Sequence, residues 1–234
     1  MKMMNYLAFT LLLVTLLLAS GCIVATPKSK RAPLETKPVD AVLVVGVDLS
    51  GSFAADFSER AYPLLLNVMQ SFFVEQMGDD CKVVLSQISS HDDVVLFEGT
   101  PRDLRRRFPS PDALAAFLLA NSKPNSSPVF KAMNQTLHYV NQMADIGEQT
   151  EVLTVVISDL RDSEKDRAVW KKKGFRMLEE LKRYQQRGGA IALYYVDLEQ
   201  VDLWKRILEA AKFEPGMFVI SNDLVEDPQL PSFD

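Results

Sequence analysis

Cysteine is nearly absent from this chain: only Cys22 and Cys81 occur in 234 residues. Two thiols build neither a disulfide-stapled framework nor the Cys/His spacing of a structural zinc site. Histidine is as scarce, with His91 and His138 alone, so a serine hydrolase would have only two possible bases. No Gly-x-Ser-x-Gly nucleophile elbow accompanies them, and there is no Walker loop or dinucleotide fingerprint. Basic charge is not in excess: 26 Lys plus Arg stand against 31 Asp plus Glu, a formal net charge of −5. That balance argues against nucleic acid, whose phosphates need a basic footprint. What is plentiful is apolar residues. A chain 47% hydrophobic and 24% charged is neither disordered nor collagenous, and its length suits one domain of about 200 residues.

Part of that apolar content sits in an N-terminal run, Leu7 to Leu18. As a helix it would be roughly 18 Å long, short against a hydrocarbon core of about 30 Å. Lys2 precedes the run and Ala19-Ser20-Gly21-Cys22 follows it, the charged, apolar, small order of a secretory signal. A cysteine directly after small residues resembles the bacterial lipobox. The resemblance implies a signal peptide over 1–21, cleavage before Cys22 and lipid on its thiol, anchoring the chain to a membrane of the bacterial cell envelope. Ile23 rather than Asp after that cysteine implies, by analogy with Gram-negative lipoproteins, the outer membrane. A signal anchor continuing through Ile23-Val24-Ala25 and a plain secreted protein with an incidental cysteine are the alternatives. Over 22–39, Pro27, Pro33 and Pro38 alternate with Lys28, Lys30, Arg31 and Lys37 without apolar periodicity, which reads as a tether. Cys81, ahead of Lys-Val-Val-Leu, reads as packing rather than a nucleophile.

The folded part is expected over 40–225, with a short tail at 226–234. Ala41 to Val47 is a continuous apolar run of the kind buried on both faces of a parallel sheet. A helix is predicted from Ala54 to Gln76, with Pro63 kinking it or ending a first short segment. Lys82 to Ile88 and Asp93 to Phe97 form a hairpin. Helices over Pro111–Leu119 and Val129–Met143 precede a central strand, Val152 to Ile157. A helix from Lys165 to Arg187 stops at Gly188-Gly189, and Trp170, Phe175, Leu178 and Leu181 read as its buried stripe. A strand over Ile191–Val196, a helix over Gln200–Ala211 and a strand over Met217–Ile220 complete the pattern. Strands alternating with helices, plus one antiparallel edge hairpin, predict an α/β fold: a doubly wound, mostly parallel sheet with helices on both faces.

In such folds ligands sit beyond the carboxyl ends of the strands, where the strand order switches. Three loops there carry chemistry. After the first strand come Asp48, Ser50 and Ser52, with Gly51 permitting a tight loop. Ser126-Ser127-Pro128 stands before a helix, and Ser158-Asp159-Leu160-Arg161-Asp162 follows the second central strand. Carboxylates and hydroxyls without soft ligands suit a hard cation such as Mg²⁺ or Mn²⁺. Asp48-x-Ser50-x-Ser52 after a hydrophobic strand resembles the first motif of von Willebrand factor type A domains with a metal-ion-dependent adhesion site. Ser126-Ser127-Pro128 is similar to that family's Gly-Thr-Pro segment, and Ile157-Ser158-Asp159 to its third motif.

The resemblance implies that Ser50, Ser52 and Ser127 coordinate a divalent metal directly, with Asp48 and Asp159 acting mostly through bound water. It implies a partner protein whose Asp or Glu carboxylate completes the coordination, and no catalytic residue. Two departures stand out: Ser127 replaces the usual Thr, and Leu160 stands where Gly is common. The alternatives are a metal-free type A domain serving as a structural or interaction protein, and an ATP-dependent enzyme using the Asp48–Ser52 loop for phosphate. The long helical pattern after that loop, where the actin and sugar-kinase fold has a second strand, argues against the enzyme.

Overall fold

A computed structural model describes residues 37–50, 57–76, 80–89, 93–122, 126–223 and 228–232. The leader, Cys22, the tether as far as residue 36, Ser52 and His91 lie outside the described residues. Strand β1 (Ala41–Asp48) is buried along its whole length. Its side chains alternate between faces: Leu43, Val45 and Val47 enter one apolar cluster, Val42 and Val44 the other. A strand apolar on both sides belongs inside a parallel sheet with both faces covered. That is its position. Strands β2 (Cys81–Ile88) and β4 (Glu151–Ile157) flank it, both parallel to it. An antiparallel edge strand, β3 (Val95–Gly99), pairs with β2. On the other side β5 (Ala190–Tyr194) and β6 (Phe218–Ser221) continue in parallel. The order β3-β2-β1-β4-β5-β6 reverses direction between β1 and β4, so the switch point lies between those two strands.

Helices α1 (Tyr62–Glu75), α2 (Pro101–Arg107) and α3 (Pro111–Ala120) cover the Leu43 face through residues such as Leu65, Phe72, Leu104 and Leu118. Helices α4 (Val129–Asn141), α5 (Arg167–Gln186) and α6 (Leu198–Ala210) cover the Val42 face through Leu137, Leu181 and Trp204. The doubly wound α/β architecture is therefore the one the strand–helix alternation predicts.

Locally, one expectation is met, one helix was not expected, and one expectation needs correction. The helix predicted from Ala54 is, over its described part, a single π-turn (Phe57–Ala61) followed by α1, with Pro63 in the first turn of α1. Proline lacks an amide hydrogen and clashes with the preceding turn, so regular helix begins at it rather than crossing it. Helix α2 is not evident from periodicity because it spans only seven residues, four of them arginines. It is set by its ends: Thr100 and Asp103 cap each other and Pro101 opens the first turn, a local device that needs no apolar stripe. The predicted α5 stripe is only partly buried. Leu181 is fully covered, Trp170 and Leu178 are half-buried, and Phe175 is 68% exposed.

Residues 228–232 lie back on the domain. The Tyr194 hydroxyl donates to the Gln229 carbonyl, and the Ser232 amide donates to the Gly216 carbonyl at 3.1 Å. Cys81 is buried in the Leu43-side cluster. Among the described residues no helix is long and apolar enough to cross a membrane.

Candidate functional site

At the carboxyl edge of β1 the apolar run stops at a charge. Asp48 is 1% exposed, and a buried carboxylate is tolerable only when its oxygens are hydrogen-bonded. Its donors come from three loops. The Ser50 amide donates to Oδ1 at 2.9 Å, while the Ser127 and Ser158 hydroxyls donate to Oδ2 at 3.0 and 2.7 Å. Sheet register explains the last of these. Val47 lies opposite Ile157, so Asp48 and Ser158 are the next pair across the switch point. Bonds to an ionised acceptor are worth roughly 1.5–3 kcal/mol each, enough to hold the loops as one unit.

Each loop is secured again from behind. The Ser122 hydroxyl donates to the Leu49 carbonyl at 2.6 Å. Helix α4 starts at Pro128, which has no side-chain cap, and the acceptor arrives from the loop after β4. Asp162 Oδ2 accepts from the Phe130 amide and Oδ1 from the Glu164 amide, both at 2.8 Å. The Ser163 amide also donates to the Ser127 carbonyl at 2.9 Å. The loop carrying Asp159 thus holds the loop carrying Ser127.

Leu160, the departure from glycine, has φ of 58°, the left-handed region that costs a side-chain-bearing residue roughly 1–2 kcal/mol. Its amide donates to Ser158 Oγ at 2.9 Å and its side chain is 2% exposed in the Val42-side cluster. Burying a leucine gains roughly 1.5–3 kcal/mol, which offsets the strain. Leucine here keeps the turn and adds core.

Of the residues singled out by sequence, Asp48, Ser50, Ser127 and Asp159 stand on the loops of this one edge, the first three buried and Asp159 half-buried. Ser52 is outside the described residues. Burial pushes the Asp159 carboxyl above its usual range, and the Asp48 charge adds to the rise against the Arg161 amide that Oδ1 accepts. Beyond Asp159, Arg161 pairs with Asp197 and Glu199 at 2.7 and 3.2 Å, forming a charged rim. His138 is on α4 with Nδ1 3.1 Å from Glu180 and Nε2 2.9 Å from Gln142, a packing role.

The donor set bears on the metal. Among the described residues no three His, Cys, Asp or Glu side chains gather where they could hold an ion. The edge offers two carboxylates and hydroxyls instead, hard oxygen donors of the kind Mg²⁺ and Mn²⁺ accept. Ser127 Oγ spends its proton on Asp48, which leaves its lone pairs available, so the residues present fit a hard cation. Sequence reasoning placed Ser158 and Asp162 on this edge without their tying roles, and missed Ser122. A helix opening on Pro128 without a capping side chain was the available signal that an acceptor must come from elsewhere.

No protein-family model matches the chain, and no curated protein does. Solved structures do. The pilus adhesin SpaC from Lactobacillus rhamnosus GG aligns over 80% of this chain and 29% of its own, at 12% identity and a TM-score of 0.52. The PilB minor pilin from Streptococcus sanguinis aligns over 81% of this chain and 58% of its own, at 9% identity and 0.52. The manganese-loaded TRAP protein of Plasmodium vivax covers 80% of this chain and 68% of its own, at 15% identity and 0.49. The chain thus spans well under two thirds of the adhesin and the pilin. It shares with the adhesin and the minor pilin a doubly wound, mostly parallel sheet with helices on both faces and one antiparallel edge strand, a fold of the type A, Rossmann-like kind.

The raised carboxyl of Asp159 has a sign that can be measured. A group whose folded pKa lies above its unfolded value costs stability once pH exceeds the folded pKa, and nothing when pH is below both. Asp159→Asn keeps an oxygen for the Arg161 amide and removes the charge. In metal-free buffer it should raise the melting temperature at neutral pH, with the gain vanishing as pH falls below the ordinary aspartate range. A lower melting temperature at neutral pH would contradict the electrostatics described.

Proposed function

We propose that this chain is a non-catalytic protein-binding module whose partner docks on the loops that meet at Asp48. The carrying observation is that one buried carboxylate takes donors from three loops at the strand-order switch. A surface held in place beforehand loses little freedom on binding, which favours affinity. The shared fold with a pilus adhesin and a minor pilin supports a role in protein interaction. The three protein donors on Asp48 support a mode that works without metal.

A second reading adds Mg²⁺ or Mn²⁺, and Asp159 favours it. Its half-buried carboxyl, raised by burial and by the neighbouring Asp48 charge, marks negative charge that a cation would relieve. Ser50, Ser52 and Ser127 would supply hydroxyl oxygens, with Asp48 and Asp159 behind bound water. A cation held mainly by neutral ligands keeps its positive charge and attracts a partner's Asp or Glu carboxylate. Thermal unfolding after EDTA treatment, with either metal restored, separates the readings. Metal at about 100 times its Kd should stabilise by about 2.7 kcal/mol, a rise of roughly 5–10 °C for a domain of this size. Asp48→Ala and Asp159→Asn should respond less. No rise, or an equal rise in Asp48→Ala, contradicts the metal site and leaves the metal-free module.

The N-terminal pattern supports a place in the bacterial cell envelope, the outer membrane where one exists, with 1–21 removed and Cys22 lipidated. Residues 22–39 then form the tether, 40–225 the domain and 226–234 the tail. Cys22→Ser should end incorporation of labelled palmitate. Label that persists in the variant, or a wild-type chain that takes up no label and keeps residues 1–21 by mass, contradicts the lipid anchor and, in the second case, favours an uncleaved signal anchor.

A further inference from the structure

On the helical layer that covers the Val42 face, α5 and α6 leave a recess of about 270 Å³. Its walls include Trp170, Phe175 and Leu178 from α5 with Leu203 and Ile207 from α6, and Phe130 lies at its base. The Trp170 and Phe130 rings pack with centroids 5.0 Å apart. Gly174 sits in mid-helix at the recess, where glycine costs roughly 0.5–1 kcal/mol relative to alanine. A Cβ there would stand 3.3 Å from the Phe130 ring. The helix therefore gives up stability at the one position where a side chain would crowd the base of the recess. Phe175 beside it is 68% exposed, although large apolar side chains are ordinarily covered.

Charge identifies the occupant. From Arg167 to Arg176, α5 carries Arg167, Lys171, Lys172, Lys173 and Arg176 and no acidic residue. Lys171 lines the recess, and Arg167, four residues earlier, shares its helix face. Both are exposed, whereas Lys172 and Arg176 fall on the far side of α5 and Lys173 pairs with Glu164 at 2.7 Å. The α6 wall has mixed charge, with Glu199, Asp202 and Glu209 beside Lys205 and Arg206. We propose that the α5–α6 groove binds an acidic amphipathic segment of a partner protein, its apolar side chains in the recess and its carboxylates against the basic wall of α5. An anionic bilayer fits less well, because the site is a concave recess rather than a flat face. A second copy of the chain would set one basic α5 wall against another.

The test uses the full chain and two short fluorescein-labelled helical peptides with the same leucine spacing, one otherwise rich in Glu and one in Lys, read by fluorescence anisotropy. The Glu peptide should bind saturably and at least about tenfold more tightly than the Lys peptide. Phe175→Ser and the double substitution Arg167→Glu, Lys171→Glu should each weaken it about tenfold. Thermal unfolding of both variants checks that these exposed positions leave the fold intact. Asp159→Asn should leave peptide binding unchanged, which keeps this groove separate from the loop edge. No saturable binding of the Glu peptide, or binding indifferent to both substitutions, overturns the proposal. So does tighter binding to phosphatidylglycerol vesicles than to the peptide, or a concentration-dependent dimer that Phe175→Ser abolishes; these would assign the groove to a membrane or to a second copy.

Discussion

Asp48 sits where a strand buried on all sides must end, and the protein ends it with a carboxylate that water scarcely reaches. A charge in that position imposes a condition on everything around it, because each oxygen needs donors with good geometry. Ser50, Ser127 and Ser158 meet the condition, and meeting it brings three segments far apart in sequence to one point. The rest of the edge follows. Asp162 supplies the cap that Pro128 cannot, and Leu160 takes a left-handed turn so that its amide can support Ser158. The sheet decides where these loops begin; the carboxylate decides that they stay together.

That arrangement explains why a polar, partly negative edge coexists with a stable domain. Strain at Leu160 is offset locally by leucine burial, and the excess negative charge is concentrated at Asp159, which remains half-buried. The Arg161–Asp197–Glu199 rim ties the next loop to α6 by ion pairs exposed enough to contribute little to stability. Their role is to shape the border of the surface. The α5–α6 groove is built differently, from aromatic rings, a helical glycine and a basic wall. The two surfaces therefore suit different chemistries, the loop edge a polar or carboxylate group and the groove an apolar segment with negative charge.

Much of the architecture was legible in the sequence because the central strands are apolar on both faces and the helices have clear stops. Ala41 to Val47 and Val152 to Ile157 could hardly be anything but inner strands. What escaped was set by ends rather than by periodicity. Helix α2 depends on Thr100, Pro101 and Asp103, a local effect that a window of apolar spacing does not register. Phe175 escaped because its spacing matches a buried stripe, while its burial depends on where α6 lies. At the loop edge, Asp48, Ser50, Ser127 and Asp159 were nameable from their places after strands and before a helix. Ser158 and Asp162 were visible on their loop but not as ties, and Ser122 not at all, since a hydroxyl or carboxylate that ties loops together declares itself only when its partner, 110, 73 or 32 residues away, is brought near.

The central claim is that Asp48 couples its neighbouring loops energetically, and double-mutant cycles in urea unfolding measure that directly. Asp48→Asn would be combined in turn with Ser127→Ala and with Ser158→Ala. The account predicts coupling of about 1 kcal/mol or more in each cycle, within the range found for groups sharing a hydrogen-bond network. Effects that simply add, to within roughly 0.5 kcal/mol, would contradict it and leave three loops that meet without depending on one another.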